Sequence, residues 1–227
     1  MKLIKPSYEI TTKFDGKEVL RVLEKIGRTA YKSEDKITIK SAPEFILKII
    51  DREHEAVLEF FDITFKWICD RGVSHELVRH RIASYLQEST RYCNYKGGIT
   101  FVIPPWVDIL PDDYCGEGES ITYQETGNPL SMPFLYPESV WIQSMLNTEI
   151  SYRKLLKEGW KPQQARSVLP NSLKTEINFK MNLRELRHFF KLRTHHTAHP
   201  QMRELAIPML KELKIKLPII FDDIEME

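Results

Sequence analysis

The chain has 227 residues, of which 42% are hydrophobic and 29% are charged, and its formal net charge is +1. This composition is ordinary for a folded globular protein and is too neutral for a broadly basic nucleic-acid binder. The sequence contains no run of about eighteen uncharged apolar residues and no signal-peptide segment at its start, so we expect a cytoplasmic protein that does not enter a membrane. Cys69, Cys93 and Cys115 are widely spaced, which favours reduced thiols over a disulfide framework or a zinc site.

The first third of the chain predicts helices and one strand. Apolar residues recur at helical spacing over 17–31, and a second helix begins at Ser41-Ala42-Pro43-Glu44, which has the form of a capping box. Apolar and polar residues alternate over 61–67, which predicts a strand with one buried face. Ser74 then has the position of an N-cap for a short helix that presents Arg79 and Arg81. Because helical residues two apart point about 200° away from each other, these arginines are expected to contact different ligands or different parts of one.

The rest of the chain mixes helices with short strands. An apolar run over 99–103 predicts a strand, whereas 108–137 is rich in Asp, Gly, Pro and Ser without periodicity and predicts a long irregular loop. The further predicted elements are a helix from Pro137 to Gly159, a short helix over 163–169, a strand over 173–181, a helix capped by Asn182 and a helix from Pro200 to about 214. Since no regular βαβ order appears, we predict an α+β fold, with residues 1–227 forming one domain.

The segment Arg79–Tyr92 has a composition suited to binding an anionic, planar ligand. Within it lie three arginines, one histidine, three hydroxyl residues and two tyrosines. A guanidinium is always charged, matches phosphate oxygens two at a time and stacks on flat rings. On a chain of almost no net charge, this segment is a local concentration of positive potential, which indicates a specific anion site.

Several other chemistries are disfavoured by the spacing of the residues. The Gly116-Glu117-Gly118 sequence lacks the third glycine of a dinucleotide-binding fingerprint. His75-Glu76 is followed by a second histidine, His80, one residue too late for the zinc protease motif. A cluster of His195, His196 and His199 precedes Pro200, which favours a structural or ligand-contacting role over a metal site. We therefore predict no metal site.

A second basic region follows between residues 151 and 193, where Lys and Arg far outnumber Glu. Arg184, Arg187 and Lys191 fall on one stripe of the predicted helix. Two alternatives to a small-molecule anion site stay open at this point. One is a metal-dependent nucleotide hydrolase that uses the histidine cluster, and the other is a non-catalytic module that binds RNA or nucleotides through the basic stripe.

The motifs taken together resemble one known family. Arg79-His80-Arg81-Ile82-Ala83-Ser84 resembles the RHRxxS signature of the flavin-dependent thymidylate synthases, and Ser89-Thr90-Arg91-Tyr92 continues that signature. The similarity extends to His54 and Glu59, to the segment 165–170, to Asn182-Leu183-Arg184 and to Arg193, and covers roughly residues 20–207. It implies helices with a small, mainly antiparallel sheet, and a methyltransferase that makes dTMP from dUMP. The resemblance further implies methylenetetrahydrofolate as carbon donor, FAD and NADPH as the source of reducing equivalents, no nucleic-acid partner, and a homotetramer with active sites between chains.

The resemblance also implies roles for individual residues. It assigns the binding of FAD to His54, Glu59, Arg79, His80, Arg81, Asn182, Arg184 and His188. It assigns the binding of dUMP to Glu76, Arg79, Gln87, Glu88, Ser89, Thr90, Arg91, Arg166 and Arg193. Arg193 is the implied catalytic residue that stabilises negative charge on the uracil ring, and Ser89 is implied to orient the substrate by hydrogen bonding.

Two departures from the family pattern affect the expected contacts. Ala56 stands where the family usually has a serine or threonine, so a side-chain hydrogen bond to FAD is lost at this position. Leu86-Gln87-Glu88 replaces a more frequent Asn-Glu pair, which changes the contacts that Gln87 and Glu88 can offer a nucleotide.

Overall fold

The computed structural model describes residues 1–117, 120–123 and 137–226. Its strands are β1 (Lys2–Ile4), β2 (Ser7–Ile10), β3 (Asp62–Asp70), β4 (Ala83–Gln87), β5 (Thr100–Val102), β6 (Asp112–Glu117), β7 (Ser120–Tyr123) and β8 (Lys174–Asn182). Its α-helices are α1 (Gly16–Tyr31), α2 (Ser41–Asp51), α3 (Arg71–Leu77), α4 (Pro137–Lys157), α5 (Pro162–Ala165), α6 (Leu183–Arg193) and α7 (Pro200–Lys216). Short 3-10 helices span Glu34–Lys36, Glu55–Phe60 and Arg166–Val168.

The strands form two four-stranded sheets. One sheet has the order β5-β1-β6-β7, in which β1 is parallel to β5 and antiparallel to β6, and β6 is antiparallel to β7. The other sheet has the order β2-β3-β8-β4. Together with the helices, these sheets confirm the predicted α+β class.

The chain divides into two compact units. The first unit comprises Met1–Ser7, Trp67–Leu77 and Gln87–Ile177, and the second comprises Tyr8–Lys66, Val78–Leu86 and Asn178–Glu227. The single domain predicted for residues 1–227 is not tested by this division and stays a prediction.

The first unit has its own apolar core, built where the β5-β1-β6-β7 sheet meets α4. Leu3 of β1 lies opposite Phe101 of β5, and both side chains are fully buried. Tyr114 of β6 and Ile142 and Tyr152 of α4 belong to the same cluster. Removing these large side chains from water is the main stabilising contribution to this unit.

The second unit buries a core rich in phenylalanine. Phe65 of β3 stacks on Phe179 of β8, with ring centroids 5.1 Å apart, and Phe190 of α6 meets Phe221 edge to face. Helices α1 and α2 pack closely at Gly27, where an added Cβ atom would lie 2.7 Å from the Phe45 ring. Any larger residue at this helix contact would therefore require the Phe45 ring to move.

Most predicted helices are confirmed, but the start of two of them differs from the prediction. The hydroxyl of Ser41 does not cap α2; it accepts a hydrogen bond from Thr38 N at 2.8 Å and donates one to Glu24. Helix α3 begins at Arg71, three residues before the predicted cap, because Asp70 Oδ1 accepts from the amide of Val73 at 2.7 Å. The helix ends at Leu77, so Arg79 and Arg81 follow it outside regular structure and the prediction that a helix presents them is wrong.

The irregular loop predicted over 108–137 is wrong over 112–117 and 120–123. These residues form the antiparallel pair β6 and β7, with Tyr114 opposite Tyr123. The pair forms because β1 supplies a hydrogen-bonding neighbour for β6, and because Tyr114 contributes a fully buried ring that outweighs the turn-rich composition. Residues 118–119 and 124–136 of this prediction lie outside the described part of the chain.

In the residues that the structure describes, no helix is long and apolar enough to cross a membrane.

Candidate active site

In the first unit, two residues predicted to bind the nucleotide are in contact. Arg166, at the start of a 3-10 helix, donates from Nη1 to Thr90 Oγ1 at 3.1 Å. Thr90 is buried, whereas the Arg166 side chain is exposed. The fold thus joins two segments 76 residues apart into a pairing of a cation with a hydroxyl, which suits an anionic ligand.

Ser89 organises the turn that follows β4. Its carbonyl oxygen accepts from the amides of Tyr92 and Cys93 at 3.1 and 2.9 Å, and its Oγ accepts from the amide of Arg91 at 3.3 Å. Arg91 is exposed, and its guanidinium lies 5.5 Å from the centre of the Tyr92 ring. The turn therefore holds Arg91 at the surface of the first unit.

Gln87 and Glu88 are engaged by protein groups in this chain. The Nε2 atom of Gln87 donates to the buried hydroxyls of Ser74 and Thr175 at 2.8 and 3.1 Å. Glu88 accepts from the Tyr95 hydroxyl at 2.8 Å and from Lys174 Nζ at 3.1 Å. Both side chains therefore stabilise the chain at the end of β4 from within, and their contacts with dUMP stay predictions. The contact of the partly buried Glu76 of α3 with dUMP also stays a prediction.

Cys69 and Cys93 do not have the setting of a nucleophile. Burial raises the pKa of the fully buried Cys69 thiol, and burial together with the neighbouring Glu88 raises the pKa of Cys93. Since the thiolate is the reactive form, both groups stay protonated and unreactive near neutral pH. This agrees with the reduced thiols that the spacing of the cysteines predicts.

In the second unit, the central feature is the buried ring of His80. Its Nδ1 lies 3.0 Å from Glu185 Oε1, and its Nε2 lies 3.1 Å from Arg193 Nε, which donates to it. The rings of Phe189 and His188 meet it at 5.1 and 5.9 Å between centroids. Burial lowers the pKa of His80, although the hydrogen bond with Glu185 acts in the opposite direction.

These contacts define the protonation of His80. An arginine can only donate, so Nε2 must accept, and the single ring proton then resides on Nδ1 and is donated to Glu185. The main chain at His80 is held as well, because the Tyr85 hydroxyl donates to its carbonyl oxygen at 2.6 Å. A neutral histidine in one tautomer thus links Glu185 to Arg193.

A cavity of about 520 Å³ opens beside this cluster in the second unit. It is lined by residues of the 3-10 helix over 55–60, of the segment before β4, of the end of β8 and of α6. These residues are Glu55, Glu59, Ile82, Asn182, Arg184, Glu185, Arg187, His188 and Lys191. Asn182 caps α6 by accepting from the Glu185 amide at 2.8 Å. Arg184 donates to Glu59 at 2.6 Å, so two predicted cofactor residues are paired with each other.

A neighbouring cavity of about 380 Å³ shares Glu55 and Arg184 with the first. It is lined by the predicted cofactor residue His54, by Ala56 and by Tyr31. The Tyr31 hydroxyl lies 2.9 Å from His54 Nδ1, a contact that the sequence did not suggest. It supplies a hydroxyl near the position where Ala56 lacks one.

The structure therefore distributes the predicted residues between the two units. The first unit gathers Thr90 and Arg166 with the turn at Ser89, while Arg193, a predicted nucleotide residue, contacts His80 in the second unit. Arg79 and Arg81 are exposed in the second unit. Glu185 is the functional candidate that the sequence reasoning missed; a glutamate on the apolar face of α6, four residues before Phe189, was the available signal.

A metal site is disfavoured within the described residues. His80, Glu185 and His188 offer ligand atoms within 4.8 Å of one another. Both ring nitrogens of His80 are, however, occupied by Glu185 and Arg193, and the arginine charge opposes a nearby cation.

The α+β fold and the residues gathered in each unit can be compared with known proteins. The model of the family described as Thymidylate synthase complementing protein matches residues 14–219. The chain belongs to this family, which confirms the resemblance found at the RHRxxS motif.

Individual relatives make the comparison more specific. The chain is 36% identical over 191 residues to the flavin-dependent thymidylate synthase of Geobacter sulfurreducens, covering 83% of this chain and 72% of that protein. It is 33% identical over 234 residues to the flavin-dependent thymidylate synthase of Mycobacterium marinum, covering 99% of this chain and 86% of that protein. The crystal structure of the UMP/dUMP methylase PolB from Streptomyces cacaoi, bound with 5-Br dUMP, is similar in fold, with a TM-score of 0.74, 22% identity and coverage of 98% of this chain and 96% of that one.

Proposed function

We propose that the protein is a flavin-dependent thymidylate synthase that converts dUMP to dTMP by reductive methylation. The observation that carries this proposal is the family match over residues 14–219, because that range contains all the residues that the sequence predicts for the site, from His54 to Arg193. In this reaction the carbon donor would be methylenetetrahydrofolate, and NADPH would supply the reducing equivalents.

The second unit has groups that fit FAD. The two cavities that share Glu55 and Arg184 combine cationic Arg184 and Lys191 with the apolar side chain of Ile82. Cations suit a diphosphate, and apolar side chains suit a flat ring. We assign the binding of FAD to His54, Glu59, Arg79, His80, Arg81, Asn182, Arg184 and His188. Arg184 would exchange its ion pair with Glu59 for a phosphate. Bound FAD would supply the redox chemistry of the reaction.

The nucleotide would be held by the charged and hydroxyl residues of the RHRxxS region and its partners. Thr90 and Arg166, already in contact, support binding of the phosphate, and Ser89 shapes the turn that carries Arg91. We assign contacts with dUMP to Glu76, Arg79, Gln87, Glu88, Ser89, Thr90, Arg91, Arg166 and Arg193. Because Gln87 Nε2 is engaged, the contact of Gln87 would come from its amide oxygen.

Arg193 would act as the catalytic residue. Activating uracil for attack builds negative charge on the N3 and O4 edge of its ring. A guanidinium stays protonated throughout, so Arg193 stabilises that charge without serving as a base. Its anchoring to His80 through Nε supports this role, because an arginine held in one orientation is ready for the developing anion.

The wider setting of the enzyme follows the resemblance. We infer a homotetramer with active sites formed between chains, a cytoplasmic location and no nucleic-acid partner. The basic stripe of α6 gives little support to an RNA-binding function, because Arg187 is buried in ion pairs and Arg184 is paired with Glu59. A metal-dependent hydrolase gains little support, because within the described residues the cluster of His195, His196 and His199 does not bring three ligand atoms together as a metal ion would require.

The test is a reconstitution of the reaction. Purified protein is incubated with FAD, and the flavin absorbance that remains after gel filtration is measured. NADPH is then added with and without dUMP, and dTMP is quantified by mass spectrometry after adding methylenetetrahydrofolate. We expect bound flavin, faster bleaching with dUMP, and dTMP that still forms in the presence of a chelator. Protein that never takes up FAD, or that forms no dTMP, would refute the proposal.

A further inference from the structure

We propose that Glu185 and His80 are positioning residues that together set the orientation of the Arg193 guanidinium for the reaction. This inference rests on the proposed function. It gives a role to Glu185, which no motif suggested, and it makes the His80 ring a support for Arg193 as well as part of the cofactor site.

The three residues form a chain of hydrogen bonds with a fixed direction. Glu185 accepts from His80 Nδ1, and His80 Nε2 accepts from Arg193 Nε, at 3.0 and 3.1 Å. The carboxylate fixes the proton on Nδ1, and this is what makes Nε2 an acceptor. Without Glu185, the ring is free to take the other tautomer, whose Nε2–H would face Arg193 Nε–H and break the contact.

Helix α6 supplies both ends of this chain. Glu185 lies in its first turn and Arg193 is its last residue, so the two are separated by about 12 Å along the axis. His80, which is far away in sequence, bridges them from the side. The ring consequently ties Arg193, at the end of the helix where the main chain frays most readily, to the capped first turn at Asn182.

Burial makes the arrangement specific. The side chains of His80 and Glu185 are only 4% and 8% exposed, so water is largely kept from their hydrogen bonds. A buried carboxylate needs a partner, and a neutral imidazole serves without adding a charge next to Arg193. An arginine has a flexible side chain, and anchoring it at Nε removes most of that freedom before the substrate arrives.

The charged and titratable groups around His80 shift its pKa in opposite directions. Burial lowers the pKa of His80 most, and Arg193 and His188 lower it further, whereas Glu185 raises it. The Tyr85 hydroxyl donates to the carbonyl oxygen of His80. The ring is therefore neutral at neutral pH. A proton gained in acid would occupy Nε2 and turn the acceptor for Arg193 into a donor.

The test compares variants that keep or remove the acceptor. His80→Leu and Glu185→Leu break the chain, whereas His80→Gln offers an amide oxygen near the place of Nε2 and Glu185→Gln can still accept from Nδ1. We expect both leucine variants to lose about 100-fold in kcat, measured with saturating FAD because His80 is itself assigned to the cofactor site. In Glu185→Leu, KM for dUMP and the bound FAD should change by less than about threefold. The glutamine variants should stay within about tenfold of the wild-type kcat. If kcat falls only in proportion to lost FAD, or if glutamine and leucine variants fall equally, the proposal is wrong.

Two further measurements separate this inference from a purely structural role and from the proposed function. The kcat of the wild type should fall in acid as His80 gains a proton, and this fall should be absent from the pH profile of His80→Gln. If kcat of His80→Gln falls in acid in the same way, the inference is refuted even if the leucine variants do not fold. Nitrogen NMR of labelled histidine should show His80 protonated at Nδ1 and unprotonated at Nε2, with mixed tautomers in Glu185→Leu. The tautomer can be measured even if the protein makes no dTMP. Absence of dTMP would refute the proposed function alone, whereas the opposite tautomer of His80 would refute the inference alone.

Discussion

Replacing Arg187 with methionine should cost the second unit a substantial part of its stability. The Arg187 side chain is only 3% exposed, and its Nε donates to Glu55 Oε1 at 2.9 Å. Its Nη1 and Nη2 donate to the two carboxylate oxygens of Asp223 at 2.6 and 2.7 Å, and Nη1 also donates to the Ile220 carbonyl. Arg187 thus joins α6 to the 3-10 helix over 55–60 and to the C-terminal segment.

The magnitude follows from how well each partner is hydrated once the arginine is gone. Removing one partner of a buried ion pair typically costs about 3–5 kcal/mol. Asp223 is 45% exposed and recovers part of its hydration, whereas Glu55 is only 20% exposed and does not. Methionine fills most of the space of the arginine stem. We therefore expect the lower end of the range, a loss of about 3 kcal/mol in the free energy of unfolding.

The loss should depend on pH in a defined direction. The hydrogen bond from Arg187 holds the pKa of Asp223 below its ordinary value of 3.8. In the folded protein Asp223 therefore binds a proton less readily than in the unfolded chain, so stability rises with pH through this window. The difference between wild type and Arg187→Met should be fully present above pH 3.8, and should shrink as acid protonates Asp223 at its lowered pKa.

Urea unfolding followed by circular dichroism at neutral and acid pH measures both effects. Lys180→Met is a matched control, because Lys180 and Asp62 form an ion pair at 3.2 Å whose side chains are 48% and 46% exposed. Such a pair contributes about 0.5 kcal/mol. If Arg187→Met unfolds within about 0.5 kcal/mol of the wild type, the assumption that Arg187 holds a desolvated ion pair is wrong.

Three further predictions concern the proposed site. Arg193→Ala should abolish formation of dTMP while the flavin absorbance of the protein persists; simultaneous loss of flavin would show that Arg193 mainly holds the cofactor. Arg91→Ala should weaken dUMP binding by about 2–3 kcal/mol, measured by calorimetry, because a charge-assisted hydrogen bond is removed; an unchanged affinity would contradict that contact. Tyr31→Phe should weaken FAD binding by about 1 kcal/mol in a fluorescence titration, since His54 loses the hydroxyl 2.9 Å from its Nδ1, and equal affinity would make that contact irrelevant to the cofactor.

The helices were predictable because their apolar faces repeat clearly in the sequence, and β4 was not because its last two residues invert the expected pattern. The apolar Leu86 is exposed, like Ser84, while the polar Gln87 is partly buried and bonded to Ser74 and Thr175. Alternation identifies a strand from the sequence only when apolar side chains face inward. A buried amide that satisfies two buried hydroxyls depends on contacts 13 and 88 residues away, which no local pattern contains.

The candidate site shows the same division between local and distant information. The cap of α6 by Asn182 was predictable because its partner, the Glu185 amide, is three residues away. The pairing of Glu185 with His80 was not, because it links residues 105 positions apart. Sequence motifs therefore indicated most residues of the two clusters but not Glu185, and the hydrogen-bond partners of His80, Glu88 and Arg166 required the three-dimensional structure.

Helix α6 also sets a limit for engineering the enzyme. Its eleven residues carry the ion pairs of Arg187 and the hydrogen-bond chain from Glu185 to Arg193 on neighbouring turns. Variants selected in this helix for higher melting temperature will therefore tend to change turnover, and variants selected for turnover will tend to lower the melting temperature. Directed evolution for robustness is better aimed at the exposed face of α2, where Pro43, Glu44, Leu47 and Lys48 line neither of the two cavities assigned to FAD.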